Sequence, residues 1–313
     1  MYFDESYFDE EIREGFLVHP MMKRAWAAQL EVLEEIDRIC KKNNIMYFAE
    51  WGTLLGAVRH HGFVPWDDDM DIGMKRKDYW KFLDVAKDEL QHPFEIVNSR
   101  TTKTYKEVMS RITNGHQILL DKTFLDRFHG CPYVCGIDIF PNDNIPDDEE
   151  EAKLYGALFN LADFLGIRCG TDEISDEDMM YGLNQLEEYL GRKVSPPKGL
   201  DMSQYLVYLS EQIASMYYLD KTMYIGQIDI FASHGYKLPA ELLESTIEMP
   251  FENTSIPVAV GYDKILKIKY GSNYMTPVYK GGNHDYPFFK DQQDKLFDVL
   301  LQKYGDIPVN CRF

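Results

Sequence analysis

Positive charge is scarce in this chain: 33 lysines and arginines stand against 52 aspartates and glutamates, a formal net charge of −19. That balance excludes an open basic surface for a nucleic acid polymer, although a small anion held in a locally basic pocket remains compatible with it. Cysteine is scarce as well. Five cysteines in 313 residues, an odd number, do not read as a disulfide framework and imply a reduced, cytoplasmic setting. The start, MYFDESYFDEEIREG, lacks both a basic region and an apolar run, so it does not read as a secretory signal. Long apolar stretches are also missing. The most apolar helical pattern, Leu154 to Ile167, is too short to span a bilayer and is interrupted by Asn160 and Asp163, so no transmembrane segment is expected. There is no internal repeat and no low-complexity segment. With 45% hydrophobic and 14% aromatic residues the chain can bury a sizeable core, which excludes disorder as a description of the whole.

One stretch concentrates the chemistry: Glu50 to Met74, EWGTLLGAVRHHGFVPWDDDMDIGM. An apolar run, Ile45 to Ala49, reads as a strand, and Leu54 to His60 reads as a short helix, which makes Gly52-Thr53 a strand-to-helix turn. Backbone N–H groups at such a helix start attract anions. Beyond Gly62-Phe63-Val64-Pro65 comes the acidic cluster Asp67, Asp68, Asp69 and Asp71. On a strand, the spacing of Asp69 and Asp71 puts both carboxylates on one face.

Around this stretch the periodicities predict an α/β chain. Trp26, Leu30, Leu33, Ile36 and Cys40 mark an amphipathic helix over Met21 to Lys42, and Lys77 to Leu90 a second one. Phe94 to Val97 reads as a strand, and Tyr105 to Ile112 with His116 to Leu120 as a hairpin turning at Asn114-Gly115. In Cys135 to Pro141 the alternation of Ile137, Asp138 and Ile139 turns Asp138 away from the isoleucines and toward a cleft. Composition shifts at Asn142, after which Glu149 to Leu165, Asp176 to Leu190 and Ser203 to Tyr218 read as helices. The expected organisation is a core over 1–141, a helical insertion over 142–220, and a C-terminal part over 221–313 completing the core and the wall of the site. That last part begins with a strand, Tyr224 to Phe231.

Three close carboxylates on adjacent strands, Asp69, Asp71 and Asp138, can hold one or two hard divalent cations such as Mg²⁺. An isolated D-x-D is as often an acidic turn on a solvated surface. Here Trp66, Met70 and Ile72 imply a half-buried setting, where like charges are costly without a cation. With the anion-binding turn upstream, phosphoryl or nucleotidyl transfer follows as the expected chemistry. Arg59, near the end of the short helix, can clamp a phosphate or can serve a surface role, and His60 and His61 read as loop residues. His129, Cys131 and Cys135 could form a zinc site but lack a second ligand pair at the usual spacing, which favours buried or surface thiols over a metal. Trp51, Trp66, Tyr262, Tyr270 and Tyr274 read as core or wall, although a subset near the carboxylates would suit a quaternary ammonium group.

The stretch GTLLGAVRHHGFVPWDDDMDIGMKRKDY strongly resembles the signature of the LicD family of phosphocholine transferases, which includes the fukutin-related proteins. GIDIFPND at 136–143 resembles the family's second block, and GYDKILKIKYGSNYM with the later His284 resembles its third. The resemblance implies a nucleotidyltransferase-like α/β (α+β) fold, a mixed sheet with flanking helices and a helical insertion. It implies an enzyme with Mg²⁺ or Mn²⁺ on Asp69, Asp71 and Asp138, and a phosphate turn at Gly52 and Thr53 with Arg59 beside it. The implied reaction moves phosphocholine, or a similar phospho-alcohol, from CDP-choline or a related CDP-linked donor to a hydroxyl of a cell-surface glycan, such as lipopolysaccharide, or of teichoic acid. CMP leaves, and the enzyme sits in the cytoplasm, peripheral to the membrane where the acceptor is assembled. FPND departs from the commoner FPLD and leaves the role of Asp143 open. Two alternatives stand beside this reading: a nucleotidyltransferase that attacks the α-phosphate of an NTP and releases pyrophosphate, and a non-catalytic glycan- or nucleotide-binding module.

Overall fold

A computed structural model describes residues 1–279 and 286–305. A short hairpin, β1 (Glu11–Arg13) and β2 (Phe16–Val18), leads into the long helix α1 (Pro20–Asn43). Pro20 suits the first turn because its fixed φ is already helical, and Asn44 closes the helix in the left-handed conformation at φ 51°. The predicted stripe is inside: Trp26, Leu30, Leu33, Ile36 and Cys40 are all buried. Next come β3 (Phe48–Ala49), α2 (Trp51–Arg59), β4 (Met70–Lys75), α3 (Arg76–Glu89), β5 (Glu95–Val97), β6 (Ser110–Thr113), α4 (Lys122–Arg127) and β7 (Gly136–Ile145).

These strands form one mixed sheet in the order β3-β4-β7-β6-β5. The central pair, β4 and β7, is parallel, and β3 with β4, β6 with β7 and β5 with β6 are antiparallel. Here the structure corrects one expectation. No strand forms over 116–120, and β6 lies between β5 and β7. Asn114 is not an exposed hairpin turn: it is buried, its Nδ2 donates to the Tyr133 carbonyl at 3.2 Å, and its Oδ1 accepts the Cys135 N–H at 2.9 Å. Its polar side chain therefore fastens the end of β6 to the segment entering β7.

The helices α5 (Glu149–Arg168), α6 (Asp176–Leu190) and α7 (Met202–Ala214) start on side-chain caps from Asp148, Ser175 and Asp201. Together with α8 (Ile228–His234) they bury their own apolar cluster around Tyr155, Phe159, Leu186, Leu206 and Ile228. A second correction falls at 224–231. Only β8 (Tyr224–Gly226) is strand, paired with the end of β7 and with β9 (Leu238–Pro239), and the chain turns at Gln227 into α8. An apolar run of that length does not distinguish strand from helix by itself. The hairpin β10 (Thr246–Phe251) and β11 (Thr254–Ala259) follows, then α9 (Tyr262–Tyr270) and α10 (Lys290–Tyr304). The main core around α1 and the sheet takes in Phe251, Ile256, Leu266 and Phe289 from this C-terminal part. No helix among the described residues is long and apolar enough to cross a membrane.

Candidate active site

Strand pairing builds the site. Asp71 in β4 lies directly beside Asp138 in β7, and Asp138 lies directly beside Arg111 in β6. Residues in register on neighbouring strands share a face, so two carboxylates and a guanidinium form one row across the sheet. Ile72, Ile137 and Ile139 take the opposite face and are fully buried. Asp69 precedes β4, two residues before Asp71.

The electrostatics of this row are unfavourable to ionised carboxylates. Burial pushes the Asp71 carboxyl well above its usual range, and Asp69, Asp138, Asp67 and Glu50 all add to the push. Asp67 is raised in the same way, by burial first, then by Asp69, with which it shares a hydrogen bond, and by Asp68. Asp138 differs because it has a cation: Arg111 forks onto its carboxylate through Nε and through Nη2, the latter at 2.7 Å from Oδ2. A cavity of about 500 Å³ opens here, with Asp69, Arg111, Thr113, Asp138, Gln29 and Phe288 in its wall.

The start of α2 sits against these carboxylates. Gly52 and Thr53 lie inside its first turn. Thr53 Oγ1 accepts the Asp71 N–H at 2.8 Å and so ties the turn to β4. Gly52 is required by a close approach, because a Cβ there would come within 1.8 Å of Asp67 Oδ2. The Asp67 carboxylate thus lies at the helix start, where the dipole favours an anion. Trp51 opens the helix at φ 42°, an unusual conformation for a bulky residue, costing about 1–3 kcal/mol. Its indole is held from both sides: Nε1 donates to Gln227 Oε1 at 3.2 Å, and Lys269 Nζ stands 3.6 Å from the ring centroid while also bonding Glu50. The Trp51 face is therefore covered by the chain's own ammonium. Tyr270 lies near Asp67 and Asp71, which together with burial raise its hydroxyl above the usual range.

Arg59 occupies the far end of α2. Its Nη1 donates to the Tyr274 carbonyl at 2.8 Å and its Nε to His60 Nδ1 at 3.3 Å, so it faces the segment after α9. Asp143 is fully buried in a two-point fork with Arg76, at 2.6 and 2.7 Å, and Glu211 stands 3.9 Å from the same guanidinium. Its place is in the join between the sheet and α7. His129 Nε2 meets Glu31 Oε1 at 2.8 Å, whereas Cys131 and Cys135 face each other with sulfurs 3.5 Å apart. His284 lies outside the described residues.

Carboxylate oxygens are the donor type that Mg²⁺ and Mn²⁺ prefer, and the crowding at Asp67 and Asp71 is of the kind a cation relieves. Among the described residues, however, no three of His, Cys, Asp and Glu already converge as a metal cage. The Arg111 fork engages both oxygens of Asp138. In donor type, though not as a formed cage, these carboxylates suit a divalent cation. Arg111 is the site residue that sequence reasoning missed. Its signal, a charged residue alternating with Ser110 and Ile112, was hidden by pairing β6 with the wrong segment.

A mixed sheet carrying acidic residues on two central strands, beside a helix that starts at Gly-Thr, is a nucleotidyltransferase-like fold. Residues 44–143 match the family model described as LicD/FKTN/FKRP, nucleotidyltransferase domain. The chain is 25% identical over 257 residues, 79% of its length and 89% of the relative's, to the lipopolysaccharide cholinephosphotransferase LicD of Haemophilus influenzae. Shorter matches join it to uncharacterized proteins of Rickettsia typhi, 39% identical over 70 residues (22% of this chain, 23% of that one), and of Rickettsia prowazekii, 50% over 48 residues (15% and 18%). Over residues 44–143 the chain is thus similar to the nucleotidyltransferase domain of the LicD family.

Proposed function

We propose that this LicD-type transferase moves phosphocholine, or a similar phospho-alcohol, from CDP-choline or a related CDP-linked donor to a hydroxyl of a cell-surface glycan or teichoic acid, and that CMP leaves. The observation that carries the reading is the row of Asp71, Asp138 and Arg111 on adjacent strands, with Asp138 and Arg111 in the wall of one cavity. The relative's activity, cholinephosphotransfer to lipopolysaccharide, supports the choice of donor and acceptor class.

Asp69, Asp71 and Asp138 would hold Mg²⁺ or Mn²⁺. Bound there, the cation would offset the negative charge of the donor diphosphate and orient the attacking hydroxyl. The remaining work falls to the chain. The α2 start and Thr53 fix the position of β4, so Asp71 is placed by backbone rather than by a mobile loop. Asp138, in the cavity wall, takes the proton from the acceptor hydroxyl. The acceptor oxygen then bonds to the phosphorus bearing choline, and the bond from that phosphorus to the bridging oxygen breaks with its electron pair going to CMP. Arg111 supplies positive charge in a wall whose other charged residues, among those described, are Asp69 and Asp138.

The test is incubation with labelled CDP-choline, Mg²⁺ and a panel of bacterial surface glycans, with the leaving group identified by chromatography. CMP with label on the glycan is expected. Pyrophosphate release from an NTP, or wild-type turnover by Asp71→Asn, would overturn the proposal.

A further inference from the structure

In the row Asp71, Asp138 and Arg111, one carboxylate already has a cation, and that cation belongs to the protein. Both Asp138 oxygens are engaged, yet the Arg111 side chain remains 45% exposed and reaches the cavity wall, whereas Asp138 is 12% exposed. A long, flexible, half-exposed partner can leave; a short strand carboxylate cannot. Among the described lining residues Arg111 is also the only cationic side chain. Guanidinium forks match phosphate oxygens as well as they match carboxylates.

We infer that Arg111 is a positioning residue that exchanges partners: it holds Asp138 while no divalent cation is bound, and it passes to the donor diphosphate when the cation takes Asp138. The inference rests on the metal reading of the carboxylates given above. Its consequence is that Arg111 competes with the cation and cooperates with the donor. A merely structural Arg111, one that orients Asp138 for the cation, would have the opposite effect on cation affinity.

The full-length protein is titrated calorimetrically with Mn²⁺, and separately with CDP-choline in the presence of Mn²⁺. Arg111→Gln should bind Mn²⁺ about tenfold more tightly without donor, because a competing charge is gone, and should bind CDP-choline at least tenfold more weakly. Arg111→Lys keeps the charge but cannot fork. It should fall between wild type and Arg111→Gln in both titrations, and it serves if the glutamine variant melts early. If wild type binds Mn²⁺ and Arg111→Gln binds it equally or more weakly, the exchange is wrong and the metal reading stands. If wild type does not bind Mn²⁺ at all, the metal reading falls and the exchange falls with it.

Discussion

Replacing Asp143 separates a structural carboxylate from a catalytic one. The residue is five positions beyond Asp138 on β7, in a sequence block where either role is plausible, yet its oxygens meet Arg76 at 2.6 and 2.7 Å with both side chains 1% exposed. Burial lifts its carboxyl to about 6, with Glu211 and Asp229 adding to the push, and the guanidinium beside it acts against that lift. Asp143→Ala leaves the Arg76 charge enclosed, with Glu211, 3.9 Å away, as the remaining carboxylate beside it among the described residues. Breaking one side of a buried pair costs about 3–5 kcal/mol. At roughly 2–4 °C per kcal/mol for a chain of this size class, the melting temperature should fall by about 6–20 °C. The double variant Asp143→Leu with Arg76→Met removes both charges and should recover most of the loss, because an apolar pair of similar volume is nearly neutral against a buried ion pair. Thermal unfolding followed by circular dichroism reads the stability, and turnover per folded molecule reads the chemistry. Asp143→Ala melting like wild type while turning over a hundredfold more slowly would refute the structural assignment and put Asp143 into the reaction.

Three further outcomes follow from the same geometry. Gly52→Ala drives a Cβ into the Asp67 carboxylate, so either that carboxylate or the α2 start must shift; a displacement near 1 Å at the site should cost about a hundredfold in turnover, measured beside a melting curve. Asp163, whose carboxyl is raised to about 6 by burial and by Asp229, should make stability pH-dependent. A raised folded value stabilises below the unfolded value and is lost as pH climbs through the folded one. Asp163→Asn should therefore melt like wild type near pH 4 and become more stable than wild type by about 1–3 kcal/mol above pH 7; equal melting temperatures at both pH values would count against it. Mg²⁺ should raise the melting temperature of wild type and leave that of Asp71→Asn nearly unchanged in differential scanning fluorimetry, and equal shifts would remove Asp71 from the cation site.

How much could be read before the fold was known depended on whether a feature was local. The α1 stripe, the three capped helices after Asp148 and the alternation around Asp138 are written in consecutive residues, and they appear where periodicity placed them. The same is true of Asp69 and Asp71 as neighbours. What was not legible was pairing. Nothing near Arg111 indicates that β7, 25 residues later, will lie beside β6, so its alternation with Ser110 and Ile112 did not reveal the fork on Asp138. Lys269 on Trp51 is the same case over a longer separation. Tyr224 to Phe231 failed for a different reason. An apolar octet fits strand and helix equally, and the pairing of β8 with β7 and β9 decided where the strand stops.

The charge pattern of the site also makes the binding of each ligand depend on the other. Glu50 is matched by Lys269 and Asp138 by Arg111. At Asp67 and Asp71 every neighbouring group acting on the carboxyl is another acid, and each pushes it upward. A donor diphosphate entering beside them brings further negative charge. Two unit charges about 6 Å apart at an effective dielectric near 20 repel by about 3 kcal/mol, roughly a hundredfold in affinity for each such pair. Arg111 can attend to the donor only by leaving Asp138, which uncovers one more acid. Neither ligand is well accommodated alone, so donor and cation should bind with strong mutual dependence, and by linkage each should tighten the other by the same factor. Calorimetric titration of CDP-choline should show at least a hundredfold loss of affinity in chelator. An unchanged dissociation constant would mean that the donor phosphates do not lie beside Asp67 and Asp71.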